Sequence, residues 1–84
     1  MKLITNINNV NVGDFIIFTG RKGDRVYRVL GKTNSVIFDR EPVYSDDGGF
    51  SNSIIDNFDF ITDPFWYLLN EKEINYYLKL AIFK

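Results

Sequence analysis

The sequence predicts an all-β fold, a small barrel or strongly bent antiparallel sheet of five to six strands, with one short helix allowed near residues 64–72. Three observations carry this. Phe, Tyr, Ile and Val dominate the apolar content while Ala81 is the only alanine, a bias toward pleated, half-buried surfaces and away from helices. Short β-branched and aromatic runs recur between turn-forming clusters of Gly, Asn, Asp and Ser. At 84 residues the chain is expected to form a single domain over 1–84, with one small core to which nearly every large side chain contributes.

Lys2 to Thr5 is a short apolar stretch, and Asn6, Asn8, Asn9 and Asn11 follow as turn formers, because their side chains compete for their own backbone. Gly13-Asp14 then launches Phe15 to Thr19, β-branched and aromatic throughout, which reads as a strand with both faces partly covered. Gly20 to Asp24 holds two glycines and reads as a hairpin loop into a second strand, Arg25 to Leu30. Gly31 to Asn34 is the next turn, and Ser35 to Arg40 is a third strand whose regular pairing stops near Glu41 because Pro42 follows. Pro42 to Ser53 lacks periodicity and is the longest loop. Ile54 to Thr62 reads as a further strand, with Phe58 and Phe60 alternating with Asn57, Asp59 and Ile61.

The C-terminal third carries conflicting signals. Asp63-Pro64 has the N-cap and first-turn chemistry of a helix start. Ile74, Tyr76, Leu78, Leu80 and Ile82, however, stand at every second position, and on that period the segment reads as a strand. Phe65 to Leu69 is then a strand joined to it by the turn Asn70 to Glu73, or one short helix between strands. A single long helix over 64–84 is the competing arrangement.

Composition narrows the chemistry. With no Cys and no His, the chain offers no Cys/His zinc site, thiol nucleophile, Ser-His dyad or imidazole base, so the expectation is a protein that binds and does not catalyse, with no cofactor. Residues 1–20 contain no apolar core of signal-peptide length, and the longest apolar run, Phe65 to Leu69, is far short of the roughly 20 residues that a membrane span needs. Together with the lack of disulfides, this makes the cytoplasm the expected compartment. Abundant Asn, Ile, Lys, Phe and Tyr are products of A/T-rich codons and point to a genome such as those of many bacteriophages and low-GC bacteria. The net charge of -1 conceals a segregation: residues 1–40 hold seven basic residues against three acidic, and residues 41–84 hold three against eight. Either the surface is dipolar or the two halves pair with each other in the fold.

Val10-Asn11-Val12-Gly13-Asp14-Phe15-Ile16-Ile17-Phe18, the hairpin, Tyr27-Arg28-Val29 and the later Trp66-Tyr67-Leu68-Leu69 before Glu71 resemble the small SH3-like barrels, including the KOW-type group. The resemblance spans roughly residues 10–69. In that family a V-G-D-x-V turn opens the first long strand and a late aromatic strand closes the barrel. The resemblance implies a fold whose members bind proline-rich peptides, nucleic acid or other proteins, and an aromatic groove for which Tyr27, Tyr44, Trp66 and Tyr67 are available. Gly20-Arg21-Lys22-Gly23 is also similar to the G-x-x-G loop of KH domains, which clamps a nucleic-acid backbone; that loop needs a helix before it, and Phe15 to Thr19 is a poor one.

Two residue sets emerge as candidate sites. Tyr44, Trp66 and Tyr67 are the protein-binding set, because Trp and Tyr carry large interface energies. Phe65, Trp66 and Tyr67 cannot all point inward from a strand, so at least one is exposed or capped by another element; core placement is the competing role for Trp66. The nucleic-acid set is Arg21, Lys22, Arg25 and Arg28 as phosphate contacts with Tyr27 as a stacking platform. In a strand, Arg25 and Tyr27 share one face while Val26 and Arg28 share the other, and a solvated hairpin whose charges discourage edge pairing has the same pattern. Asp46, Asp47, Asp56, Asp59 and Asp63 supply oxygen donors without the spacing of an EF-hand loop, so no metal is expected.

The function these features predict is a non-enzymatic interaction module, phage-encoded, that binds and modulates a host or viral protein. RNA or single-stranded nucleic-acid binding through the hairpin 21–28 is the alternative. An isologous homodimer is a further expectation, since a long apolar C-terminal strand needs a partner on its edge.

Overall fold

The computed structural model describes residues 1–20, 23–39, 41–46, 54–56 (backbone only), 60, 62 and 64–82. Among them, strands β1 (Lys2–Leu3), β2 (Phe15–Gly20), β3 (Gly23–Lys32), β4 (Ser35–Phe38), β5 (Tyr44–Ser45), β6 (Ile54–Asp56) and β7 (Trp66–Leu68) form one antiparallel sheet, followed by helix α1 (Glu71–Ile82). The strand order is β1-β7-β2-β3-β4-β6, with β5 also paired to β3.

Strand β3 is the spine of this sheet. One edge pairs along the whole of β2, from Phe15 opposite Arg28 to Gly20 opposite Gly23. The other edge takes β5 at Arg25 and Val26, then β4 from Val29 to Lys32. A register shift between Val29 and Gly31 lies within the β3–β4 ladder, just past the stretch of β3 that pairs with β5, and irregularities of this kind bend a strand and raise its twist. The result is the strongly bent sheet that the residue pattern predicts.

Period-two alternation then sorts the side chains onto two faces. Ile16, Tyr27, Val29 and Trp66 turn inward with Ile4, Val10, Val36, Phe38 and Phe60. Their neighbours Ile17, Val26 and Leu69 turn outward and are covered by Tyr77 of α1. Ile16 and Ile17 are consecutive and both fully buried, so the apolar run at Phe15 to Phe18 reflects a strand roofed on both sides.

Local chemistry explains the turns. Gly13 has φ +94°, a conformation that residues with side chains rarely adopt, and its N–H donates to Val29 O at 2.9 Å. Asp14 Oδ2 accepts the Asn11 N–H at 2.8 Å, so the V-G-D segment works as a turn because each residue type satisfies the backbone there. Gly20 and Gly23 face each other as the last pair of the β2–β3 ladder, which leaves Arg21 and Lys22 between them. The G-x-x-G segment therefore joins two strands, and the similarity to a KH loop ends there.

The strand expected over Ile74 to Ile82 is overturned, because this segment is α1. The period was not diagnostic. Tyr77 and Ala81, which lie between the alternating residues, are apolar as well, so Ile74, Tyr77 and Leu80 make an equally good helical stripe. The start signal decides the outcome: Asn70 Oδ1 accepts the Glu73 N–H at 2.9 Å while Glu73 Oε1 accepts the Asn70 N–H at 3.1 Å, a capping box. The four residues that read as a turn are thus the helix start. The short helix allowed near 64–72 lies later than expected, since Pro64 and Phe65 form a turn and Trp66–Leu68 is a strand.

Two further expectations are corrected. The strand placed over Ile54 to Thr62 ends at Asp56, and Phe60 and Thr62 have helical backbone, with Phe60 in the inner core. Inside the loop expected from Pro42 to Ser53, Tyr44–Ser45 pairs with β3; residues 47–53 lie outside the described residues. Among the described residues, no helix is long and apolar enough to cross a membrane.

Glu73 also accepts the N-terminal ammonium of Met1 at 2.9 Å. The Asn70 backbone bond, and then the ammonium, hold its carboxyl below the ordinary glutamate pKa. Asn70→Ala removes the N-cap and is expected to cost about 1 kcal/mol, read as a lower urea midpoint with unchanged slope.

Candidate functional site

The outward face of the sheet and α1 meet at a corner built from Tyr44, Tyr76, Tyr77, Asp24 and Asp46. Asp24 and Asp46 lock the end of β5 to the β2–β3 hairpin: the Asp46 N–H donates to Asp24 O at 3.0 Å and the Asp24 N–H donates to Asp46 Oδ2 at 3.0 Å. Gly23 makes this approach feasible, because a Cβ there would stand 2.5 Å from Asp46 Cβ. The Tyr44 hydroxyl donates to Asp46 Oδ1, and the Tyr77 hydroxyl donates to Asp24 Oδ2 at 3.3 Å. The Tyr44 and Tyr77 ring centroids lie 5.3 Å apart, and Tyr76 meets Tyr77 edge-on at 5.2 Å. Tyr76 is 59% exposed, so a rigid, carboxylate-backed aromatic group opens to solvent.

Both bonded phenols are harder to ionise than free tyrosine. The Tyr44 pKa is pushed up to about 12, first by its bond to Asp46, then by burial and by neighbouring carboxylate charge. The Tyr77 pKa is also pushed up to about 12, first by burial and then by the charge of Asp24 and the bond to it. A pKa raised in the fold means that the folded state binds more protons than the unfolded chain between pH 10 and 12. The stabilisation is therefore complete below the ordinary phenol pKa of 10.0 and is lost as pH rises toward about 12. Urea midpoints measured through this window are expected to fall, and Tyr44→Phe is expected to flatten the fall.

Of the protein-binding set, Tyr44 lies in this corner, half-buried. Tyr67 is half-buried against the outer cluster, next to α1. Trp66 is a core residue at 4% exposure, so the interface role expected for it is corrected: on β7 its ring turns inward, and Phe65 beside it is the exposed aromatic at 47%.

Of the nucleic-acid set, Arg21 and Lys22 lie outside the described residues. Arg25 is half-buried on the inward face, and Arg28 is exposed on the outward face with its guanidinium 6.0 Å from the Phe15 ring centroid. Tyr27 is corrected as a stacking platform, because its ring is 1% exposed and packs 4.5 Å from Phe38. Its hydroxyl is buried without a hydrogen-bond partner among the described residues. An unsatisfied buried hydroxyl costs roughly 1–3 kcal/mol. Tyr27→Phe is therefore expected to raise the urea midpoint, whereas a lower midpoint would reveal a bond to that oxygen.

Among the described residues, no three acidic side chains converge as metal ligands. Asp47, Asp59 and Asp63 lie outside them. The charge segregation along the sequence does not make two separate faces at this corner, since Asp46 of the acidic half is bonded to Asp24 at the turn end of the β2–β3 hairpin. Sequence reasoning missed Tyr76 and Tyr77, and the signal that locates them is the Asn70/Glu73 box, which turns the segment into a helix.

Comparison with models of protein families, with curated proteins and with solved structures finds no match to this chain.

Proposed function

We propose that the protein is a non-enzymatic interaction module that binds and modulates another protein, host or viral, through the corner formed by Tyr44, Tyr76, Tyr77, Asp24 and Asp46. The observation that carries the proposal is the exposure of Tyr76 on a base of bonded tyrosines and carboxylates. Tyrosine gives large contact area with little side-chain entropy to lose, and rings already held by hydrogen bonds reduce that loss further. The carboxylates suit a partner that presents basic or hydrogen-bond-donating side chains. The SH3-like resemblance supports the same class of activity, since such barrels hold ligands on aromatic surfaces. Phage origin is supported by an amino-acid composition rich in the residues that A/T-rich codons specify.

The test is recovery of the tagged protein from cells, with and without nuclease, using the natural sequence and Tyr76→Ala. Because Tyr76 is mostly exposed, its loss is expected to leave the fold intact. A protein that survives nuclease and is lost with Tyr76→Ala supports the proposal. Bound RNA that disappears at raised salt, with no effect of Tyr76→Ala, would transfer the function to Arg21, Lys22, Arg25 and Arg28.

A further inference from the structure

Helix α1 roofs only part of the outward sheet face. Beyond it, between β3 and the segment that follows β4, lies a surface groove of about 360 Å³ lined by Arg28, Leu30, Asp39, Glu41, Pro42 and Val43. Its floor is apolar and open to water: Leu30 is 54% exposed and Val43 38%. Val12, 61% exposed, precedes Gly13, whose N–H bonds to Val29 O at the same end of the β2–β3 ladder. Adjacent exposed side chains of this size mark contact surfaces more often than isolated ones do.

The walls carry opposite charges. Arg28 stands on the β3 side, and Asp39 and Glu41 stand on the other. Among the described residues, Arg28 forms no ion pair with either acid, and Asp39 Oδ1 accepts only the Glu41 N–H, at 3.3 Å. A strongly basic or strongly acidic partner would match one wall and be repelled by the other. A second copy turned by a two-fold axis that runs along the groove matches both, because that rotation lays each basic wall over the acidic wall opposite.

We propose that this groove is the interface of an isologous homodimer, in which Leu30, Pro42 and Val43 of two copies pack together and each Arg28 faces Asp39 and Glu41 of the other copy. The groove and the tyrosine corner share no residue, so substitutions at Leu30 and Tyr76 test the two independently.

Sedimentation velocity over a concentration series up to about 1 mM gives the association constant. The natural chain is expected to show a reversible monomer–dimer equilibrium that weakens with salt. Leu30→Asp, at an exposed site, is expected to retain the urea midpoint and lose the dimer. Arg28→Glu alone, and Asp39→Arg with Glu41→Arg, are each expected to weaken self-association about tenfold or more. Mixing those two variants is expected to restore a dimer, because reversing opposite walls makes the two chains complementary. A monomer at every concentration overturns the proposal, as does a dimer that Leu30→Asp and the charge reversals leave unchanged.

Discussion

Trp66→Ala is expected to cost about 3–5 kcal/mol and to lower the urea midpoint far more than Phe65→Ala does. The indole is 4% exposed, and its ring centroids lie 4.9 Å from Phe18, 5.8 Å from Phe38, 6.0 Å from Tyr27 and 6.3 Å from Phe60. It joins β7 to β2, β3 and β4 across the inside of the bend. Truncating a buried aromatic costs about 3–5 kcal/mol. A small domain has roughly 5–15 kcal/mol in total and tends toward the lower end, so this one substitution removes much of what holds the fold. Urea titration followed by far-ultraviolet circular dichroism measures the loss without relying on Trp66, the sole tryptophan, as the probe. Phe65→Ala is the contrast: at 47% exposure it is expected to cost about 0.5 kcal/mol or less. Equal costs for the two would refute the facing of β7. Loss of partner binding in Trp66→Ala would report unfolding, which is why Tyr76→Ala is the variant that tests the interface.

The contrast between these two neighbours also shows what the sequence made legible. Neighbouring aromatics in extended backbone cannot all point one way, so a split between Trp66 and Tyr67 of β7 follows from geometry, while the inward choice of Trp66 depends on the β7–β2 register, which only the folded chain reveals. Phe15 to Thr19, the hairpin glycines and Pro42 were readable because each constrains the backbone locally. The C-terminal helix was misread for a physical reason: when almost every position is apolar, both periods fit, and a four-residue capping signal outweighs the pattern that follows it. Tyr27 was misassigned for a related reason, since alternation shows that it shares a face with Arg25 without showing which face is buried. The tyrosine corner depends on contacts across 53 residues of sequence between Asp24 and Tyr77, and local propensity carries no information about these. The two halves of opposite charge were visible, but their meeting at Asp24 and Asp46 follows from the β3–β5 register.

Gly23→Ala is expected to be the most damaging change outside the core, and it separates two effects that glycine substitutions usually combine. Gly23 has φ +130°, where a side chain costs roughly 1–3 kcal/mol in backbone strain alone. Its added Cβ would also stand 2.5 Å from Asp46 Cβ, so β5 has to move away from the hairpin. That movement breaks the reciprocal bonds between Asp24 and Asp46 and takes Tyr44 away from Tyr77, for a total of about 2–4 kcal/mol. Gly13→Ala supplies the reference. At φ +94° it suffers strain, but its Cβ would have no atom within 4 Å, so only the backbone cost, about 1–2 kcal/mol, is expected. The pH dependence distinguishes the two further. With the corner opened, Gly23→Ala is expected to flatten the decline in stability between pH 10 and 12, because Tyr44 loses the bond to Asp46 that is the first cause of its raised pKa, while Tyr77, raised first by burial, keeps its share. Gly13→Ala, on the far side of the ladder, is expected to keep that decline. If both variants lost the same stability and kept the same alkaline slope, Gly23 would matter only for its backbone angle, and the close approach of Asp46 would have no energetic role in holding the corner together.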